Sequence, residues 1–415
     1  MEINKNPPPS KILTYSFALC LIFMTISIVN YPKTTFDAAI SGINLWWNVI
    51  FPSLLPFFIL SELLMGIGIV NALGVFLEPL MRPIFNVPGV GAFALSLGLA
   101  SGYPMDAVIT SKLKKNNLCS DVEAERLLAF SNTADPLFIF GAVAVGMFQL
   151  PELGIILASA HYVSSILIGF IYSFYGRSQD IPTAQKNHQN SNIFVRAFHE
   201  LYIYRKKDIR SIPNLLGDAI KNSMNTILLI GGFIILFSVC LNLLSAIGAI
   251  SYLNIFFAQL LMVIGFDPSL SQALSFGLFE IDLGALAASQ SNCPLEQKVA
   301  IASAIIAWSG LSVHGQVASI ANEANIKMLP YMLSRVLHAI FSVFFVLLLM
   351  GPANFITQIF LLPDIAVTTT VYSLTSWMSK IDYILYQTGF ILLISLSLSM
   401  LVLCIKKIKS RKFKN

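Results

Sequence analysis

Apolar runs of spanning length alternate with short polar links over almost the whole chain. A bilayer core asks for about 20 largely apolar residues per helix. Residues 12–29, 49–70, 121–149, 153–175, 224–247, 298–322, 331–350 and 383–405 meet that need. The pattern predicts an all-α polytopic membrane protein with about eight full spans. Two other runs, 89–111 and 269–289, are apolar but crowded with small and polar residues. The first carries Ser101-Gly102-Tyr103-Pro104 at its middle and returns to Lys112, Lys114 and Lys115. The second carries Phe279-Glu280-Ile281-Asp282 near its tip. Both read as re-entrant hairpins, the first entering from the cytoplasm and the second from outside. Spans 121–149 and 298–322 are interrupted, at Ser131–Pro136 and at Ser309–Gln316.

Composition sharpens the class. Of 415 residues, 56% are hydrophobic and 11% charged, against about 25% charged in a soluble domain. Water cannot solvate a surface so poor in charge, which excludes a soluble enzyme, a nucleic-acid binder and a disordered scaffold. The net charge of +5 sits in membrane-flanking segments and gives sidedness instead. Stretch 176–212, with Arg177, Lys186, Arg196, Arg205, Lys206, Lys207 and Arg210, and the tail from Lys406 to Lys414 are basic. Both are expected in the cytoplasm, and the sparsely charged loops 31–48 and 351–382 outside. The tail also suits anionic lipid. Lys5 and Lys11 precede the first span and no small-x-small site follows it. It therefore reads as an uncleaved anchor with both chain ends cytoplasmic. Pro7-Pro8-Pro9 is a short extended lead.

Three matches in order suggest a duplicated unit. Leu127-Leu-Ala-Phe-Ser131 meets Ile305-Ile-Ala-Trp-Ser309; His161 meets His338; Pro88 meets Pro268. With the sidedness above, the first unit starts outside and the second inside, so the two are inverted, an arrangement common in secondary transporters. The expected organisation is 1–44 anchor and outer loop, 45–175 repeat one, 176–216 basic cytoplasmic loop, 217–350 inverted repeat two, and 351–415 outer loop, last span and basic tail.

Irregular backbone within hydrocarbon must be buried or line a wet cavity, so both hairpin tips and both breaks should converge. A half-helix N-terminus there carries about half a positive charge and favours anionic groups. Candidate substrate contacts are Ser101, Gly102, Tyr103, Asn132, Thr133, Ser309, Gly310, Ser312 and Gln316. Candidate ion-coupling groups are Asp106, Asp135, Glu280, Asp282 and His314, because ionisable groups at membrane depth are costly and usually functional. For Asp135 the alternative is a helix cap before Pro136; for Glu280 and Asp282 it is exposure at the outer mouth. His161 and His338, in long apolar helices, read as interhelical bonders. Ser131 also belongs to the polar set at the first break.

Five scattered cysteines without a CxxC pair imply neither a disulfide framework nor a metal. No cofactor is expected, and no G-x-x-x-x-G-K-[ST] loop provides for ATP. A Ser101–His161 hydrolase dyad lacks a G-x-S-G signature, and His-Glu-x-x-His is absent. A non-transporting assembly factor stays open as a third class. Expected partners are a small-molecule substrate and lipid, with no nucleic acid, and homo-oligomerisation is left open.

At Ser101-Gly-Tyr-Pro104, Glu123-Ala-Glu-Arg-Leu-Leu-Ala-Phe-Ser-Asn132, Pro136-Leu-Phe-Ile139 and Gly310-Leu-Ser-Val-His-Gly-Gln-Val317 the chain resembles the YlbJ family of sporulation integral membrane proteins. The resemblance runs in order over about 40–350. It implies two nucleoside-recognition Gate domains related to concentrative nucleoside carriers, and a role in endospore formation. It further implies movement of dipicolinic acid across the outer forespore membrane, with nucleoside or nucleobase transport as the alternative. Asp106 departs from the family pattern, where a small residue is expected. A carboxylate near the tip would repel a dianion unless it is protonated, pairs with a cation or faces away.

Overall fold

The chain is all helical among the described residues of a computed structural model, which are 11–176 and 192–351. The predicted span 383–405, the basic tail, Pro7–Pro9, Arg177 and Lys186 lie outside the described residues. The first helix, α1 (Lys11–Asn30), coincides with the predicted anchor. The next, α2 (Pro32–Leu45), passes through a π-helical turn at Trp46–Ile50 into α3 (Phe51–Ile67).

The helix at 32–45 corrects the expected outer loop over 31–48. Lys33, Thr34, Thr35 and Asp37 lower the local hydropathy, but Pro32 presets the first turn. One face, Ala38, Gly42 and Leu45, is buried. It packs on α10 (Ile212–Ala246), where a Cβ on Gly42 would lie 3.0 Å from Ile235 Cα. Ser238 Oγ donates to Ala38 O at 2.8 Å, and Trp46 Nε1 to Ile227 O at 2.9 Å.

Behind α3 come α4 (Ile69–Leu80), a π-helical Met81–Phe85, and a helical hairpin of α5 (Gly91–Ser101) and α6 (Met105–Lys115). Then α7 (Asp121–Ser131) ends in a non-helical segment at 132–135, and a π-helix at Phe138–Met147 and α8 (Leu153–Tyr172) complete this half. Its start is a capping box: Ser120 Oγ accepts from Glu123 N, and Glu123 Oε2 from Ser120 N. Arg82 also donates to Glu123 at 2.5 Å. The charged part of the Glu123–Asn132 segment thus starts and anchors a helix.

The region expected as a cytoplasmic loop contains α9 (Ile193–Lys207), capped by Asn192 and packed on α4. Its many charges hid it, yet Ala197 is buried and Arg196 pairs with Glu78 at 2.5 Å. After α10 the order repeats: α11 (Ala249–Val263), a 3₁₀ turn at Pro268–Leu270, a hairpin of α12 (Ser271–Phe279) and α13 (Ile281–Gln290), then α14 (Leu295–Trp308), α15 (Gly310–Glu323) and α16 (Met328–Met350).

The backbone turns left-handed at matching places in the two series. Gly68 (φ 96°) matches Gly248 (φ 81°), Asn86 (φ 51°) matches Gly265 (φ 77°), and Gln149 (φ 57°) matches Asn325 (φ 54°). Among the described residues, five helices are long and apolar enough to cross a membrane: Pro32–Ile67, Leu153–Tyr172, Ile212–Ala246, Leu295–Glu323 and Met328–Met350. Shorter apolar helices, among them Thr14–Asn30 and Ala249–Val263, accompany them. Large apolar side chains face outward, such as Leu229, Leu236, Ile255 and Phe256, as a bilayer solvent requires.

Candidate functional site

Each hairpin tip packs on the helix break of its own half. Hairpin one turns at Gly102 (φ 65°), where an added Cβ would lie 2.6 Å from Asp135 Oδ2. Only glycine combines that conformation with that approach. The following Tyr103–Pro104 bond is cis. Hairpin two turns through one extended residue, Glu280 (φ −141°, ψ 129°). A Cβ on Gly310 would lie 2.9 Å from Phe279 O, so the second break presses on the second tip.

The two breaks differ in size. In the first, residues 132–135 leave the helix, with Asn132 extended, and Asp135 Oδ1 accepts from Leu137 N (2.9 Å) and Phe138 N (2.8 Å), capping the helix that follows. In the second, Ser309 (φ 70°) alone leaves the helix and α15 resumes at Gly310. The expected irregular stretch 309–316 is corrected to this single kink: two consecutive left-handed residues redirect the chain without a longer gap. Ser312, His314 and Gln316 therefore project from the first turns of a half-helix.

The halves join at the centre. Tyr103 Oη donates to Ile306 O at 2.9 Å, and Tyr331 Oη to Asn132 Oδ1 at 3.0 Å. Between them lies a cavity of about 120 Å³, room for several waters. Six of the sequence candidates line it: Tyr103, Asp135, Glu280, Asp282, Ser312 and Gln316. Leu54, Phe138, Ile230 and Phe233 supply apolar wall. Glu280 and Asp282 are 6% exposed, and Glu280 Oε2 and Asp282 Oδ1 have no hydrogen-bond partner among the described residues. This is burial within a wall, contrary to the alternative of a solvated outer mouth.

The other candidates do not line the cavity, and most of their side-chain polar atoms are engaged elsewhere. Ser101 Oγ donates to Met65 Sδ at 3.3 Å. Asp106 is wholly buried and accepts from Asn132 Nδ2 (2.8 Å) and Ser131 Oγ (3.2 Å), so it faces away from the cavity. Thr133 Oγ1 reaches Ser131 O at 3.4 Å, and Ser309 Oγ donates to Trp308 O at 2.5 Å. Gly102 and Gly310 serve close packing. His314 Nδ1 bonds Gly310 O at 2.7 Å, its ring packs on Trp308 and Tyr331, and Nε2 is unpartnered among the described residues.

His161 and His338 do bond between helices. His338 Nε2 donates to His161 O at 2.9 Å, and His161 Nε2 accepts from Ala134 N at 3.1 Å. Ser101 and His161 are thus committed to different partners. Among the described residues no group of three or more His, Cys, Asp or Glu could hold a metal ion.

One buried group escaped the sequence reading. Arg335 lies wholly buried in α16, and Nη1 donates to Asn132 O at 2.5 Å. Its signal was available: a lone cation inside a long apolar run. The apolar wall residues carried no signal, since nothing separates them from ordinary core or lipid-facing side chains.

Comparison with known proteins adds three similarities. The Gate family, described as nucleoside recognition, matches residues 47–177. "Sporulation integral membrane protein YlbJ" of Bacillus subtilis (strain 168) is 45% identical over 343 residues, 83% of this chain and 84% of that protein. A solved structure titled "Structure of CNTnw in an inward-facing substrate-bound state" aligns at 13% identity with a TM-score of 0.42, over 82% of this chain and 87% of that one.

Proposed function

We propose a function from one premise: the chain belongs to the YlbJ family of sporulation integral membrane proteins. On this reading it is a secondary transporter of a small polar metabolite. Its substrate is dipicolinic acid, moved across the outer forespore membrane during sporulation. The two halves cross the bilayer in opposite senses and both termini are cytoplasmic. The carrying observation is the central cavity walled by both hairpins and both interrupted helices, the placement expected of a midplane transport site.

The lining sets a condition on the cargo. Asp135, Glu280 and Asp282 face the cavity, and among the described residues no Lys, Arg or His lines it. A dianion enters such a site only with its charge neutralised, by protons or by an accompanying cation. Ser312 and Gln316 supply hydroxyl and amide groups for orientation. The acids of the wall, rather than Asp106 or His314, are then the groups that exchange the coupling ion. A nucleoside is the second reading. It is favoured by the Gate match and by Gln316 and the carboxyl residues of the wall, which suit the hydroxyls and base edges of a neutral ligand.

Purified full-length protein in proteoliposomes separates these readings. Labelled dipicolinate should accumulate, faster as the outside pH is lowered, and Gln316→Ala should weaken it on the order of ten-fold, the worth of one buried hydrogen bond. Saturable uptake of uridine or adenosine without dipicolinate uptake would favour the second reading. No uptake of any of them, together with normal dipicolinate content in a sporulating deletion strain, would favour an assembly factor.

A further inference from the structure

The middle of α16 buries a full positive charge that the cavity does not use. Arg335 is 0% exposed, and a guanidinium stays protonated in proteins. Its strong bonds go to backbone carbonyls rather than to a carboxylate. Nη1 donates to Asn132 O at 2.5 Å and Nη2 to Ala129 O. Nε lies 3.4 Å from Ser334 Oγ, and the group sits 5.4 Å from the Tyr331 ring centroid. Ala129 belongs to the last turn of α7 and Asn132 is its C-cap. These carbonyls are left without helical donors at a helix end, which carries about half a negative charge.

Asn132 ties this end to Asp106. Its backbone oxygen takes Arg335, its Nδ2 donates to Asp106 Oδ1, and its Oδ1 accepts from Tyr331. Two backbone carbonyls meet the guanidinium directly, and the Asn132 side chain continues the polar chain from them to Tyr331 and to the Asp106 carboxylate. The second half provides a contrast. Near the end of α14, Ile306 O accepts from the neutral Tyr103 hydroxyl and Trp308 O from the Ser309 hydroxyl. A neutral donor therefore satisfies such carbonyls, and the charge at the first break needs a reason of its own.

In transporters with discontinuous helices, carbonyls at half-helix C-terminal ends are where alkali cations bind. We propose that the Arg335 guanidinium is a built-in cation at the C-terminal end of α7, occupying oxygens that a free monovalent cation would otherwise take. The first break is thereby held without sodium or potassium, and the coupling ion acts elsewhere. The proposal takes from the transport reading only the idea of a coupled cycle. Its test reads cation-dependent stability, so a failed uptake experiment leaves it standing and the reverse holds too.

The experiment is thermal unfolding of the purified full-length protein in sodium, potassium or choline chloride at equal ionic strength, for wild type, Arg335→Ala, Arg335→Gln and Arg335→Ala/Asp106→Asn. Wild type should unfold at one temperature in all three salts. Arg335→Ala and Arg335→Gln should unfold earlier in choline and recover, saturably, in sodium or potassium. Sodium-stabilised wild type would overturn the proposal. So would single variants that behave alike in all salts, or that stay unfolded in every salt. Full rescue in choline by Asp106→Asn would also overturn it, by reducing Arg335 to a counter-charge for Asp106.

Discussion

Gly102 shows how much a single position carries. Its left-handed φ and its closeness to the Asp135 carboxylate leave no room for a side chain. Gly102→Ala should cost about 1–3 kcal/mol through backbone strain alone, read as a lower unfolding temperature and as lost uptake. Gln316 makes no structural hydrogen bond among those described and lines the cavity. Gln316→Ala should therefore leave the unfolding temperature within about 0.5 kcal/mol of wild type while weakening ligand binding. A large loss of stability in that variant would move Gln316 from the binding site to the scaffold. Most polar candidates were visible from sequence as residue types at backbone breaks. Which of them open onto space depended on which hydroxyls found an internal acceptor, as Ser101 and Ser309 did.

Elements form where capping, packing and turn chemistry agree. Asp135 does two jobs at the first break, capping the following helix and facing the cavity. Asp135→Ala should cost about 1 kcal/mol, the usual worth of an N-cap. Asp135→Ser should keep most of the stability and remove only the charge, so uptake in this variant reports the charge alone. At the α9–α10 link Arg210 donates to Asp208 and Asp218. Arg210 holds the Asp208 carboxyl down to about 2, below its ordinary 3.8. The folded value lies below the unfolded one, so this brace is fully present above about pH 4 and is lost as the pH falls toward 2. Hydrogen-exchange protection across 205–215, taken relative to the intrinsic rate at each pH, should fall in that window. Being only half-buried, the brace should also weaken with added salt; protection that stays constant across the window would show that it holds nothing. Helices at 32–45 and 193–207 were hidden because polar residues on one face lowered the mean, while the buried face was narrow and made of small residues such as Ala38, Gly42 and Ala197.

At the scale of the molecule, the halves pack broadly on one another, α2 and α3 on α10 and α7 and α8 on α16, and buried hydrogen bonds cross between them. Tyr103→Phe and Tyr331→Phe each strip a donor from a buried acceptor in the other half, and each should cost about 1–3 kcal/mol. Opposed orientation is tested by labelling from each side, with Lys115→Cys and native Cys293 as single thiols. Lys115 pairs with Glu323 at a half-exposed position and Cys293 lies at the end of hairpin two. Reaction from opposite faces is expected; reaction from one face removes the inverted arrangement. Hydropathy, small-residue hairpins and the paired Pro88/Pro268 and His161/His338 positions already determined a helical membrane protein built twice from one plan. These are local properties of chain solubility and backbone freedom. Only the tertiary structure decided that Asp106 turns inward to Asn132, that Glu280 and Asp282 face shared space, and that Arg335 reaches a helix end in the other half. Those outcomes depend on which elements meet, over 26 residues of chain for Asp106 and Asn132 and over 203 for Arg335 and Asn132, and no local pattern encodes such a meeting.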